Sequence, residues 1–169
     1  MVVQAQIKLG TPGAKLQGIW PAFWSLGESQ RSGTPWPACG EIDTLENKNG
    51  DNMAFGTLHC SNCNEPTGIS GGQTFDIGAW HTWGHSIDLR NGDWTQQSIT
   101  HYLDGNAYHV VKGSDIGNQD AWVALAQKPM FMILNVAVGG GWPGNPTGET
   151  VPGKDASMEV SYVAVYKSV

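Results

Sequence analysis

The sequence predicts an all-β fold, an antiparallel β-sandwich of the jelly-roll, concanavalin-like type with at most one short helix. The chain has 169 residues, a length typical of one domain, and we treat residues 1–169 as that single domain. Its 23 glycines and 9 prolines follow no period, which favours short strands joined by tight turns and excludes collagen and long helices. Apolar and polar residues alternate along several short segments, as in half-buried strands.

The first part of the chain predicts three strands. Val2–Leu9 alternates apolar with polar side chains, and residues 18–26 form an apolar run rich in tryptophan. A polar loop over residues 28–37 follows this run. We expect the next strand over residues 40–46.

The middle of the chain predicts two single strands and a hairpin. Residues 55–60 and 82–89 have strand character. Asp104-Gly105 joins Ser98–Leu103 to residues 106–111, and such a pair is a strong hairpin signal because glycine tolerates the positive φ of the turn.

The last part predicts one helix and two long strands. Residues 119–127 are the only helical candidate, and Pro129 stops it. Met130–Val138 and Met158–Tyr166 have the length and pattern of strands. The first is apolar enough to be expected inside the stack of two sheets.

Charge and hydropathy exclude several classes of function. The formal net charge is -6, and no basic stripe is present along which a phosphate backbone could bind, so we expect no nucleic-acid partner. The most apolar stretch, Met130–Val138, is far shorter than the ~20 residues that cross a bilayer, so we expect no membrane partner. The first predicted strand follows Met1 directly, and we expect no signal peptide in this chain.

The three cysteines allow at most one disulfide within the chain. Cys60 and Cys63 are the candidate pair because they stand close together as C-x-x-C, whereas Cys39 stands apart. A zinc site would need further ligands at suitable spacing, and none of the five histidines supplies them, so we expect no metal and no cofactor.

An acidic hexad is the sharpest chemical feature, and it runs Glu41-Ile42-Asp43-Thr44-Leu45-Glu46. On a strand Glu41 and Asp43 share a face, and a β-bulge near Thr44 or Leu45 would bring Glu46 to the same face. Three carboxylates on one face repel unless they share protons or meet a ligand. Retaining glycosidases use such a pair about 5–5.5 Å apart. A solvated acidic strand face is the alternative.

Tryptophan is used heavily, with 8 residues against 4 tyrosines and 4 phenylalanines. Indole rings stack on the apolar faces of sugars, so tryptophans that flank an acidic strand suit a saccharide cleft. Packing in the core is the alternative for each of them. The candidates for the cleft are Trp20, Trp24, Trp36 and Trp142, and those assigned to packing or to the rim are Trp80, Trp83, Trp94 and Trp122.

Taken together, these blocks resemble glycoside hydrolase family 16. The matching blocks are residues 18–24, residues 36–40 leading into the acidic hexad, residues 134–140 and residues 142–144, and the likeness extends from about Gln4 to Tyr166. The E-x-D-x-x-E form of the hexad resembles the laminarinase and endo-1,3(4)-β-glucanase branch. Residues 56–60 together with Cys63 look like the fungal members.

The resemblance implies a role for each site residue. It makes Glu41 the nucleophile, Asp43 its supporting acid and Glu46 the general acid/base. His59 would lie on the neighbouring strand, where its imidazole could hydrogen-bond Glu46 or a sugar hydroxyl, although a lone histidine is also often a satisfied core residue. Trp20, Trp24 and Trp142 resemble the positions at which the family stacks sugars, and Trp36 is a further candidate. The side-chain amide of Asn135 could reach a sugar hydroxyl.

The resemblance also implies an endo-acting retaining hydrolase of β-1,3-linked or mixed β-1,3/1,4-glucans, acting outside the cell. The alternatives are a non-catalytic glucan-binding module and a transglycosylase of the same fold. Family members have further strands before the point where this sequence starts, so it looks like a domain without its N-terminal part. An edge would then be expected at Val2–Leu9 or Met158–Tyr166. We expect a monomer, with edge-strand association as the alternative.

Overall fold

The computed structural model describes residues 1–63 and 67–167. Ten strands form two antiparallel sheets, which confirms the predicted sandwich. The strands are β1 (Val2–Leu9), β2 (Ile19–Gly27), β3 (Glu41–Asn47), β4 (Met53–His59), β5 (Ile69–Thr74), β6 (His81–Asp88), β7 (Ser98–Leu103), β8 (Asn106–Lys112), β9 (Met130–Val138) and β10 (Met158–Tyr166).

The strand order places the acidic hexad at the centre of one sheet. That sheet has the order β5-β4-β3-β2-β9, and the other has the order β10-β1-β6-β7-β8. The strands that the sequence predicts lie at their expected positions or are shifted by one or two residues. At the β7–β8 hairpin, Asp104 and Gly105 both have positive φ, at 49° and 79°, as the predicted two-residue turn requires.

The core lies between the two sheets. The alternation of β1 puts Val3, Ala5, Ile7 and Leu9 into it. Trp83 and Trp122 are fully buried in two clusters, which confirms packing as their role. The indole Nε1 of Trp122 donates a hydrogen bond to Gln97 Oε1 at 2.8 Å, so its polar atom is satisfied inside the core. Trp94 packs partly against the same cluster as Trp122, and Trp80 is exposed.

Two helices occur in the described residues, where the sequence predicted at most one. Helix α1 (Gly113–Ile116) was missed, and helix α2 (Gln119–Ala126) matches the prediction. Helix α1 was missed because four residues are too few to show a helical period. Its start is fixed by the Asp115 carboxylate, which accepts a hydrogen bond from the Lys112 backbone N–H at 2.8 Å. Short 3-10 helices cover Glu28–Ser32, Trp94–Gln96 and Gly153–Ala156.

Strand β5 was also missed. Its sequence, Ile-Ser-Gly-Gly-Gln-Thr, has too few apolar or β-branched residues to stand out from a loop. Pairing with β4 holds it in the sheet, from Met53 opposite Thr74 to Leu58 opposite Ile69. Tertiary context therefore makes this strand.

Strand β9 was expected inside the stack, and this expectation was wrong. Among the described residues β9 pairs only with β2, so it is an edge strand, and its core-side Met132 and Leu134 are exposed. Strand β10 is the edge of the other sheet at the same end of the sandwich, with Val163 and Val165 exposed on its core side. Strand β1 is paired on both sides, so the expected edge lies at β10 and not at Val2–Leu9.

The predicted disulfide between Cys60 and Cys63 is present, while Cys39 is a buried free thiol. The bridge lies directly after His59 at the end of β4. It packs into the core beside Leu58, so it holds the end of that strand against the sandwich. No helix within the described ranges is long and apolar enough to span a membrane.

The apolar patch on the core sides of β9 and β10 predicts self-association at high concentration. A lysine at its centre, in Val163→Lys, should reduce that association several-fold, because a buried charge opposes both apolar contact and strand pairing at an edge. Light scattering against concentration measures it. The control is Val110→Lys, which adds the same charge at an exposed valine on β8. Equal effects of both variants would show that net charge matters and the patch does not.

Candidate active site

A β-bulge in β3 brings the three carboxyl groups together. In the pairing of β3 with β4, Asp43 lies opposite Thr57 and Glu46 opposite Phe55, so Thr44 and Leu45 together face the single residue Gly56. Both bulge side chains are fully buried in the core. The extra residue returns Glu46 to the face of Asp43, as the sequence predicted.

The strands beside β3 supply the rest of this face. Directly opposed residues of neighbouring strands share a face, which places Trp24 beside Asp43 and His59 beside Glu41. Asn135 on β9 and Glu46 on β3 both lie opposite Ala22 of β2, so the three form one row across the sheet. The face is the outer one, away from the core.

Glu41 accepts a hydrogen bond from an indole, and its surroundings raise its pKa. The Nε1 atom of Trp36 donates a hydrogen bond to Glu41 Oε2 at 3.0 Å. Burial first, and then the neighbouring Asp43 carboxylate, raise the pKa of Glu41 to about 8, while the Trp36 hydrogen bond opposes the rise. Glu41 also shares a hydrogen bond with Asp43, so this pair retains a proton near neutral pH.

Asp43 is the most deeply buried of the three carboxyl groups. Burial raises its pKa to about 6, and hydrogen bonding to His59 opposes this rise. The distance from His59 Nε2 to Asp43 Oδ2 is 3.3 Å. The sequence suggested Glu46 or a sugar hydroxyl as a partner of His59, and the structure shows a contact of His59 with Asp43. Its contact with a sugar stays a prediction.

Glu46 has an environment that parallels that of Glu41. The Nε1 atom of Trp20 donates a hydrogen bond to Glu46 Oε1 at 3.0 Å. Burial raises the pKa of Glu46, and the Trp20 hydrogen bond opposes the rise because it stabilises the carboxylate. Each glutamate therefore has its own indole donor, which fixes the position of one carboxylate oxygen.

Trp142 forms an aromatic wall beside Glu46. Its ring contacts Trp20 edge-on, with centroids 5.2 Å apart, and Phe55 at 5.6 Å. Lys48 Nζ lies 4.6 Å from the centroid of the Trp142 ring. Trp142 remains 37% exposed, so part of the ring is open to a ligand. Sequence reasoning missed Phe55 and Lys48, although Phe55 stands two residues before Thr57 on a strand predicted to lie beside the hexad.

Trp24 and Trp36 complete the aromatic set. Trp24 Nε1 donates to Asn135 Oδ1 at 2.8 Å, which fixes the orientation of that amide. Trp36 is 49% exposed, and its ring lies 5.6 Å from that of His59. The structure thus brings every predicted site residue to one face of the sheet, while the direct contact of each with a sugar stays a prediction.

The same groups have the spacing of a metal site. Ligand atoms of Glu41, Asp43 and His59 all lie within 4.8 Å of one another. His59 Nε2 lies 3.3 Å from Asp43 Oδ2, and the Trp36 indole donates to Glu41 Oε2. Three neighbouring carboxyl groups with raised pKa values can hold a proton near neutral pH and pass it to a bound group.

The chain is similar in sequence to known proteins. A family model described as "XgeA-like, catalytic GH16 domain" matches residues 9–80. The keratan-sulfate endo-1,4-beta-galactosidase of Sphingobacterium multivorum is 32% identical over 151 residues, which are 89% of this chain and 34% of that protein.

Two solved structures are similar along nearly the whole chain. The endo-1,3-beta-glucanase from Streptomyces sioyaensis has a TM-score of 0.87 and 33% identity, and the match covers 96% of this chain and 62% of that one. The endo-beta-1,3-glucanase from Pyrococcus furiosus has a TM-score of 0.76 and 37% identity, covering 96% and 59%. The chain therefore spans between one third and two thirds of the length of these relatives.

Loss of either indole donor should change the pKa of its own glutamate. Trp36→Phe removes the donor to Glu41 and Trp20→Phe removes the donor to Glu46. Each should raise the pKa of its partner by about one unit, because a hydrogen bond to the charged form is lost. Carbon-13 NMR titration of the glutamate carboxyls measures both values. Each variant is the control for the other. Unchanged pKa values in both would contradict the hydrogen bonds from Trp36 to Glu41 and from Trp20 to Glu46.

Proposed function

Because this chain belongs to glycoside hydrolase family 16, we propose that it is an endo-acting retaining glycosidase that cleaves β-1,3-linked or mixed β-1,3/1,4-glucans. One observation carries the proposal: the bulge in β3 puts Glu41, Asp43 and Glu46 on one face, with an indole donor on each glutamate. A binding surface alone has no use for an acid pair held in this way.

The reaction begins with attack by Glu41. Its carboxylate oxygen forms a bond to the anomeric carbon, while Glu46 gives its proton to the departing glycosidic oxygen. The products of this step are a glycosyl ester on Glu41 and a shortened glucan. Glu46, now ionised, takes a proton from water, whose oxygen displaces Glu41 and restores the β-configuration.

Asp43 supports the nucleophile by holding a proton. Attack needs Glu41 in the ionised form, and a raised pKa opposes ionisation in the empty cleft. Asp43 lies in hydrogen-bond contact with Glu41, so it can carry the shared proton at the moment of attack. His59 holds the other side of Asp43 and thereby orients it.

Both the aromatic wall and the relatives support a glucan substrate. Trp142 offers an exposed part of its ring beside the proposed acid, where an adjoining sugar can stack. The similar structures from Streptomyces sioyaensis and Pyrococcus furiosus are endo-1,3-glucanases by name, whereas the relative from Sphingobacterium multivorum is an endo-galactosidase. A β-galactoside polymer therefore belongs in the substrate test. A polymer substrate suits an enzyme that acts outside the cell, so we also propose extracellular action.

Two other functions use the same residues. A non-catalytic glucan-binding module would use the exposed Trp36 and Trp142 but would not need Glu41 and Glu46. A transglycosylase shares the first half-reaction and differs in that a sugar, not water, displaces Glu41. We propose a monomer that acts as a hydrolase.

Substitution of the two glutamates should separate their roles. Glu41→Ala should abolish turnover of every substrate, because no glycosyl ester can form. Glu46→Ala should retain turnover of an aryl glycoside whose leaving group needs no proton. With azide, Glu41→Ala should give the α-glycosyl azide by one displacement, and Glu46→Ala the β-glycosyl azide by capture of the ester. NMR of the products distinguishes them.

Two outcomes would contradict this assignment. Exchanged azide products would reverse the roles of Glu41 and Glu46. Full activity in both variants would make the hexad a solvated strand face. The binding module would then be the better account if the chain still bound glucan.

Product analysis should identify the substrate and the stereochemistry. Laminarin and lichenan should yield oligosaccharides of several lengths, with the β-anomer formed first because two inversions restore the configuration. Cellulose, xyloglucan and keratan sulfate serve as comparison substrates. Initial α-anomer would exclude double displacement, and cleavage of keratan sulfate without cleavage of laminarin would overturn the glucan assignment.

A further inference from the structure

A polar layer lies within the core directly beneath the catalytic strand. His85 on β6 and His101 on β7 are fully buried between the sheets, with Tyr108 beside them. His109 stacks on His101, with ring centroids 5.5 Å apart. Buried imidazoles are costly in an apolar core unless they are hydrogen-bonded, so their partners show what the layer does.

Two of the histidines bind to the catalytic strand at the bulge. His101 Nε2 donates to the backbone carbonyl oxygen of Asp43 at 3.0 Å. His85 Nδ1 lies 2.8 Å from Thr44 Oγ1. Burial lowers the pKa of His101 and lowers that of His85 to about 4, so both rings are neutral at ordinary pH. Since the carbonyl of Asp43 only accepts, the neutral His101 ring carries its proton on Nε2.

A bulge leaves polar groups that need such partners. The hydrogen-bond ladder of β3 is interrupted between Asp43 and Glu46, and the hydroxyl of Thr44 points into the core. From the opposite sheet, His101 supplies a hydrogen bond to the backbone of Asp43, and His85 supplies one to the hydroxyl of Thr44. They therefore stabilise the bulged form of β3 over a regular strand, in which Glu46 would face the core.

Gly56 makes room for this contact. It is the residue of β4 that faces the bulge, and a Cβ atom there would lie 2.5 Å from His101 Cδ2 and 2.7 Å from the Tyr108 hydroxyl oxygen. Any side chain at position 56 would displace the imidazole. The absence of a side chain at Gly56 therefore allows His101 to reach β3, where His85 binds as well.

We propose that His85 and His101 are positioning residues for the acid/base Glu46, acting through the bulge at Thr44 and Leu45. The inference rests on the proposed function. Glu41 precedes the bulge and keeps its register with Leu26 and His59, so loss of the histidine contacts should move Glu46 and leave Glu41 in place.

The expected result is a selective defect in proton donation. His101→Phe keeps an aromatic ring and removes the donor. The value of kcat/KM reports the first step alone, and on laminarin, whose leaving group needs a proton, it should fall at least tenfold more than on a dinitrophenyl laminaribioside, whose leaving group needs none. His101→Gln, which restores an N–H donor, should recover part of the loss.

His109→Phe is the matched control, because His109 lies in the same layer but its Nε2 contacts the Ile69 backbone oxygen and not β3. It should reduce both rates equally or not at all. Gly56→Ala reaches the same contact without removing a histidine and should reproduce the selective loss. If His101→Phe does not fold, as judged by circular dichroism, Gly56→Ala and His85→Phe give the test.

An equal loss on both substrates in the folded variants would reduce the histidines to core packing and overturn the inference. So would no loss on either substrate. Failure of the proposed function looks different, because Glu46→Ala would then lack the selective defect as well. If Glu46→Ala has that defect and the His101, His85 and Gly56 variants do not, only the positioning role is wrong.

Discussion

One extra residue in β3 determines which side chains meet on the outer face of its sheet. Side chains alternate along a regular strand, so a sequence with Glu41, Asp43 and Glu46 in one strand would send the last of them into the core. The bulge at Thr44 and Leu45 prevents this. The same bulge buries the side chains of Thr44 and Leu45, so it also contributes to the core. The aromatic donors, the proton balance and the histidine layer all depend on this one irregularity.

Once the three carboxyl groups share a face, electrostatics governs the site. Burial raises the pKa of every member, and mutual repulsion adds to the effect for Glu41. The indole N–H groups of Trp20 and Trp36 partly oppose this by stabilising the carboxylates. Glu41 and Asp43 therefore share a proton near neutral pH, and both glutamates offer a carboxylate oxygen at a fixed position. Both properties are needed by a pair of glutamates that act as nucleophile and acid.

Local signals made much of the fold predictable from the sequence. Alternation defined β1, the Asp104-Gly105 turn defined the β7–β8 hairpin, and the spacing of the hexad required a bulge. Features set by tertiary context were not predictable. Strand β5 has almost no pattern of its own, helix α1 is too short to show one, and the exposure of β9 depends on what lies beside it.

The site divides in the same way. Its carboxyl groups form a local motif, whereas the bond from Trp20 to Glu46 joins residues 26 positions apart and that from His101 to Asp43 joins residues 58 apart. No pattern in a single sequence indicates that the two residues of either pair are in contact. Gly56 illustrates the difficulty, because its lack of a side chain becomes meaningful only when the imidazole from the opposite sheet is in view.

Trapping of the covalent intermediate tests the central claim most directly. A 2-deoxy-2-fluoro laminaribioside with a good leaving group should form the glycosyl ester and release it slowly, because the fluorine destabilises the charged transition state of both steps. Mass spectrometry of a protease digest then locates the label. We expect one sugar per chain, attached to Glu41. A label on Glu46, or turnover of the reagent without any labelled peptide, would contradict it.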